Sequence, residues 1–255
     1  MTAGTTTRPG TGTRGSRILG VLALAGLAWL VIFGFLLSPA DEVQGDSVRL
    51  MYVHVPSAWL AYLSFGVTAF CSLMYLWKRT RSLAWDRVAG CSAEIGLLFT
   101  GLALVTGMTW GQVTWGHVWD WGDARLVTTA LLLLLFVGYV ALRRLPAAPN
   151  VRAKRAAVAG IIAFLDVPLV HQSVEWFRTL HQSPTILRKD LNPQIDGVML
   201  FSVFVGVVAF TLVYVWLLVH RNRVAMMEAR LEAGGLEQAL AERRGEPVGT
   251  AAVGS

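Results

Sequence analysis

The sequence predicts an all-α, polytopic integral membrane protein with six transmembrane helices and a Trp-rich loop on its outer face. Three observations carry that prediction. Apolar residues make up 55% of the 255 and charged residues only 15%, too little charge to clothe a soluble domain of this length. The apolar residues gather into six runs, each close to the ~20 helical residues that cross a hydrocarbon core. The basic residues lie between those runs and form no stripe with stacking aromatics. The pI near 9.8 therefore points to membrane orientation, with no nucleic-acid partner.

Taken in order, residues 1–17 are Thr- and Gly-rich and read as a disordered cytoplasmic N-terminus. The first span, about 18–37, exceeds the apolar core of a signal peptide and no small-x-small cleavage site follows. It reads as an uncleaved anchor. The second span, about 57–77, starts with Pro56 in its first turn, where a missing N–H is harmless. The third covers about 88–108. The fourth, about 126–142, is short but uninterrupted until Arg143. The fifth, about 156–174, carries Asp166 and Pro168, and the sixth covers about 198–219. In lipid each run must be helical, because its backbone groups have no water to bond. Residues 221–255 form a solvated cytoplasmic tail with helical patches broken at Gly234–Gly235. Of 22 Lys and Arg, only Arg49, Arg125, Arg178, Arg188 and Lys189 fall on the side opposite the termini. That bias places both termini in the cytoplasm and the tryptophan loop outside.

Some chemistry is missing. No GxxxxGK[ST] is present for nucleotide binding and no CxxCH for covalent haem. Cys71 and Cys91 stand alone in or beside spans and read as small apolar residues.

The stretch "TWGQVTWGHVWDWGDARL", 109–126, holds Trp110, Trp115, Trp119 and Trp121 of the ten tryptophans. Trp110, beside a span end, fits the ordinary aromatic belt. Trp115, Trp119 and Trp121 lie beyond it among glycines, and each ring can cover about 150–250 Å² of an apolar partner. Arg125 is available to a carboxylate on that partner, and Asp123 to an N–H group or to Arg125 itself. Four of the five histidines, His54, His117, His171 and His181, fall on the same side. His54 in "HVP" and His181 in "LHQ" flank the tryptophan loop from different loops. His117 inside the loop, and His171 with Glu175 four residues on, are rivals. A flat, apolar ligand that bears carboxylates and takes two imidazoles fits haem.

"WGHVWDWGDARL" resembles the tryptophan-rich WWD signature of haem-handling proteins in cytochrome c maturation. With "HVPSAW", "VPLVHQSVEWFRTLHQ" and the six spans, it is similar over about residues 50–220 to the haem exporter protein C family. The resemblance implies that His54 and His181 are the axial ligands of a transiently bound haem b. It implies that Trp115, Trp119, Trp121, Asp123 and Arg125 form the binding loop. It further implies a haem site on the outer face of the cytoplasmic (inner) membrane and no catalytic residue. The implied partners are a haem chaperone, an ABC ATPase with membrane subunits that supplies the ATP hydrolysis, a short single-span accessory subunit, and the lipid bilayer. Two departures stand out: Gly122 is inserted before the Asp, which leaves Asp120 as a competitor, and Val118 replaces a frequent tryptophan. The alternatives are a haem lyase subunit that attaches haem to apocytochrome c, and a permease working through Glu94 and Asp166.

Overall fold

The structure is a computed structural model that describes residues 12–177, 179–181, 195 and 197–244, with side chains through 235. The described residues form seven α-helices: α1 (Arg14–Trp29), α2 (Met51–Leu76), α3 (Leu83–Trp115), α4 (Ala124–Arg144), α5 (Pro149–Phe164), α6 (Asp166–Trp176) and α7 (Gly197–Arg244). A π-helical stretch, Leu30–Leu37, extends α1, and a 3-10 turn, Asp46–Leu50, runs straight into α2. Among the described residues six helical units are long and apolar enough to cross a membrane, α5 and α6 together making one of them. Among the described residues there is no named strand.

Several ends differ from the sequence expectation. α1 starts at Arg14, where the Thr13 hydroxyl accepts from Ser16 N–H at 3.3 Å, so the expected unstructured segment shortens. Residues 1–11 of that segment lie outside the described residues. α2 begins six residues before 57 because the 3-10 turn already supplies helical backbone; Pro56 is its sixth residue, not a first-turn residue. His54 is consequently inside the helix, not ahead of it. α3 continues seven residues past 108 and stops at Gly116, whose φ of +76° suits glycine at a helix C-terminus. The fifth span breaks at Leu165, and Pro168 then falls in the first turn of α6, where no intrahelical donor is needed. α7 runs through Gly234–Gly235 without the expected break.

Lipid gives apolar side chains little reason to seek one another, so close backbone approach and hydrogen bonds join the helices. α2 and α3 form the central hairpin. A Cβ on Gly96 would lie 2.5 Å from the Phe65 ring, so only glycine lets these helices meet there. Ser92 of α3 bonds the Ser64 carbonyl of α2 at 2.7 Å and the Tyr214 hydroxyl of α7 at 2.8 Å. One apolar cluster fills the space between α2, α3 and α7, with Tyr52, Leu60, Phe99 and Phe210. A second joins α2 and α3 to α4, α5 and α6, with Phe65 stacked on Phe136 at 3.6 Å.

The acids inside spans divide. Glu94 accepts two bonds from the Arg221 guanidinium, the shorter at 2.6 Å, which ties α3 to α7 and gives that carboxylate a structural role. Asp166, at the α5–α6 break, is buried and its Oδ2 has no hydrogen-bond partner.

Candidate functional site

At the tryptophan end of the bundle a cavity opens between α2, α3, α4 and the segment that follows α6. Its empty volume is about 800 Å³, open solvent at the mouth included. Ala58, Ala61, Leu104, Met108, Leu126 and Leu132 supply apolar walls, and His54, Trp115, Arg125 and His181 also line it.

His54 is fixed from α3. Its Nδ1 is 3.0 Å from the Ala103 carbonyl oxygen and 3.2 Å from the Thr106 hydroxyl. A carbonyl can only accept, so Nδ1 carries a proton, and in the neutral ring Nε2 then keeps its lone pair. The ring fits because residue 107 is glycine: a Cβ there would lie 2.9 Å from His54 Cε1. Trp110 packs edge-on at a centroid distance of 5.9 Å, and its indole N–H donates to Gln44 at 2.8 Å. Trp110 thus braces the imidazole as well as standing at a span end.

His181 is fixed from α4. Its Nδ1 lies 3.1 Å from Asp123 Oδ2, and its ring is 5.1 Å from that of Trp115. Asp123 is buried and fully engaged. One oxygen caps α4 by accepting from Leu126 N–H at 2.9 Å; the other accepts from the Thr179 hydroxyl at 2.8 Å and Leu180 N–H at 2.9 Å. Burial works to raise the Asp123 pKa. The Leu126 and Thr179 hydrogen bonds and the neighbouring His181 outweigh it and hold the pKa below the usual aspartate value. The carboxylate is therefore ionised and accepts the His181 Nδ1 proton. Burial, with a smaller push from Arg125, lowers the His181 pKa against the pull of Asp123, so its imidazole is neutral near pH 7. Both histidines thus line one cavity with Nδ1 held from behind, and among the described residues neither Nε2 makes a hydrogen bond, the arrangement of paired metal-ligating imidazoles.

Arg125 lines the same cavity. One of its Nη groups donates to the His171 carbonyl at 3.0 Å, and its buried Nε has no partner. That orphaned donor is a ready contact for an acidic group on a ligand. Together the groups suit a flat apolar ligand with an acidic edge and a metal centre that takes two nitrogen donors.

The other sequence candidates are placed as follows. Val118 and Asp120 line the cavity, but Trp119 and Trp121 between and after them do not. Those two rings pack edge-to-face at 5.2 Å, with Trp121 80% exposed. The Gly122 insertion closes a turn in which Asp120 accepts from Gly122 N–H at 2.8 Å, while Asp123 keeps the contact to His181. His117 also lines the cavity, and His171 faces the Tyr62 ring at 6.3 Å. Sequence reasoning passed over Ala103, Thr106, Gly107 and Thr179, since small residues on a span read as packing and Thr179 belongs to no motif.

A family model described as Heme exporter protein C matches residues 9–236. The chain is 36% identical over 227 residues to "Heme exporter protein C" of Bradyrhizobium diazoefficiens, covering 88% of this chain and 84% of that protein. It is 35% identical over 213 residues to the protein of the same name from Haemophilus influenzae, covering 84% and 85%. It is also 33% identical over 192 residues to the "Putative cytochrome c biosynthesis ccmC-like mitochondrial protein" of Marchantia polymorpha, covering 73% and 79%.

Proposed function

We propose, from the premise that this chain belongs to the Heme exporter protein C family, that its cavity binds haem b transiently and presents it to a haem chaperone during cytochrome c biogenesis. The observation that carries the reading is the pair of imidazoles, His54 and His181, that line one cavity with Nδ1 occupied and, among the described residues, no hydrogen bond at Nε2. Imidazoles in both axial positions would leave no open site for oxygen, which suits a handler of haem better than an oxidase.

In this reading Trp115 covers the porphyrin, Arg125 meets a propionate and Asp123 stands behind His181. Trp119 and Trp121 close over the haem edge that the mouth leaves uncovered. The bias of Lys and Arg supports a site on the outer face of the cytoplasmic membrane with both termini inside. The chain acts as a binding and transfer protein, with ATP hydrolysis supplied by an ABC ATPase that works with membrane subunits and a single-span accessory subunit. The haem lyase alternative differs in the final acceptor, an apocytochrome instead of a chaperone.

The purified full-length protein, loaded with haemin in detergent or nanodiscs, is expected to show a six-coordinate low-spin optical spectrum. Bound haem is expected to pass to a membrane-anchored haem chaperone on mixing. A five-coordinate spectrum, or no retained haem, would overturn the reading.

The Gly107 contact supplies a sharper test. Valine at 107 must displace the His54 ring, and misplacing a ligand's support lowers metal affinity by about 10–100-fold. Gly107→Val is expected to lose haem by that order in a haemin titration while its helical circular dichroism stays unchanged. Unchanged affinity would mean that His54 is not held against α3 as described.

A further inference from the structure

The two imidazoles are anchored by chemically different groups. Behind His54 stands an uncharged carbonyl, Ala103 O at 3.0 Å, with the Thr106 hydroxyl already committed to Leu102 O at 2.7 Å. Behind His181 stands an ionised carboxylate that is 98% buried, since the Asp123 side chain is only 2% exposed. A full negative charge in a site shielded from water draws the Nδ1 proton far more strongly than a carbonyl dipole. The partner behind a metal-bound histidine sets its basicity, and with it the balance between the oxidation states of the metal.

We infer that Asp123 is a positioning residue that makes the two iron ligands unequal, giving His181 imidazolate character while His54 stays an ordinary neutral donor, so that the site holds ferric haem in preference to ferrous. The inference rests on the haem reading above and deepens it. An electron-rich ligand stabilises the iron state of higher charge. The net negative charge that Asp123 adds beside the site acts in the same direction. Thr179 adjusts the effect: its hydroxyl donates to the same oxygen that faces His181, at 2.8 Å, and so withdraws part of that oxygen's charge. The two neighbours should therefore act with opposite sign. Among the described residues His181 is held by this cluster and the Trp115 ring, whereas His54 is built into α2 and pressed against α3. A change at Asp123 therefore reaches the His181 ring through a single hydrogen bond.

The test is a spectroelectrochemical titration of the haemin-loaded full-length protein, with magnetic resonance of the ferric form. Asp123→Asn keeps one oxygen to cap α4, because Asn is as good a helix cap as Asp, but it removes the charge. It is expected to reduce the preference for ferric haem by about tenfold, the lower end of what such outer partners contribute. That factor raises the midpoint by about 59 mV for a one-electron couple. Thr179→Val is expected to lower the midpoint, and Thr106→Val, on the His54 side, to leave it unchanged. A loss of fold or of general packing would not produce shifts of opposite sign from two adjacent groups. Unchanged midpoints in both Asp123→Asn and Thr179→Val, with the bis-imidazole spectrum intact, would overturn the inference and leave the haem reading standing. If Asp123→Asn retains no haem, Thr179→Val decides alone, and a midpoint that stays or rises overturns the inference. A wild-type protein without a bis-imidazole spectrum would remove the haem reading itself.

Discussion

Alanine at both His54 and His181 is expected to abolish the six-coordinate low-spin haem of the purified protein. Either single substitution should leave a five-coordinate, high-spin haem with weaker retention. The physical reason is that each ring supplies a separate Nε2 lone pair, and among the described residues neither lone pair has a competing hydrogen bond. The fold should survive. Removing His54 frees one carbonyl and removing His181 frees one carboxylate oxygen that keeps the Thr179 and Leu180 donors. A neutral hydrogen bond contributes about 0.5–1.5 kcal/mol and one to a charged group about 1.5–3 kcal/mol. These losses are small beside those of the buried charge pair considered below. Optical spectra of the two single variants and the double variant, at matched circular dichroism, check the expectation. A wild-type spectrum in the double variant would sink both assignments and turn attention to His117, the other histidine on the cavity wall.

The spans were legible because lipid leaves so few options: a run of apolar residues near 20 long must be a helix, and six runs appeared as six units. Their ends were not legible, for reasons that differ by residue. Pro56 signalled a first turn, yet the 3-10 turn ahead of it had already nucleated the helix. The residues 109–115 carry polar groups and glycine, and hydropathy does not report that a helix continues above the membrane to Gly116. Gly234 and Gly235 looked like a stop, but each glycine costs a helix only about 1 kcal/mol, and good helix formers flank them. Pro168 and Asp166 were visible within the fifth run, which was still read as one continuous span; the break at Leu165 is a finding of the structure.

The site divides the same way. His54, His181 and the tryptophan loop could be found because their residue types are conspicuous. Asp123 was visible as an acceptor for a nearby N–H group or for Arg125; its role as the cap of α4 was not. Its bond to His181, 58 residues away, is a tertiary fact that no local pattern encodes. Ala103, Thr106 and Gly107 belong to the same class: on a span they look like packing, and only the fold reveals that they carry an imidazole. Trp119 and Trp121 show the converse. Their composition suggested one platform with Trp115, yet in the structure they stand outside the cavity lining that includes it.

The largest effect on stability is expected at the other end of the bundle, from Arg143→Ala. Sequence reading used Arg143 only as an end marker and orienting charge. In the structure its guanidinium reaches across from α4 to α3 and bonds both oxygens of Asp86, one at 3.1 Å, with the Tyr139 ring 5.7 Å away. The side chains are 17% and 8% exposed. Gly90 makes room for the pair, since a Cβ there would lie 2.8 Å from the guanidinium carbon. Breaking such a pair from one side strands a charge where water cannot solvate it, at about 3–5 kcal/mol. Arg143→Lys should recover only part, because an ammonium cannot span both carboxylate oxygens. Asp86→Asn combined with Arg143→Met should recover most, because no charge remains to be buried. Equilibrium unfolding in mixed detergent would measure all three, and a loss below about 1 kcal/mol, the level of an exposed pair, would rule out the buried role. The consequence reaches the haem cavity through the helices themselves. α3 carries Gly107 and Trp115 and α4 begins at Asp123, so the pair that ties their opposite ends also sets how firmly the groups behind His54 and His181 face each other. Arg143→Ala protein should therefore lose haem on mild warming before wild type does, and the charge-free double variant should not.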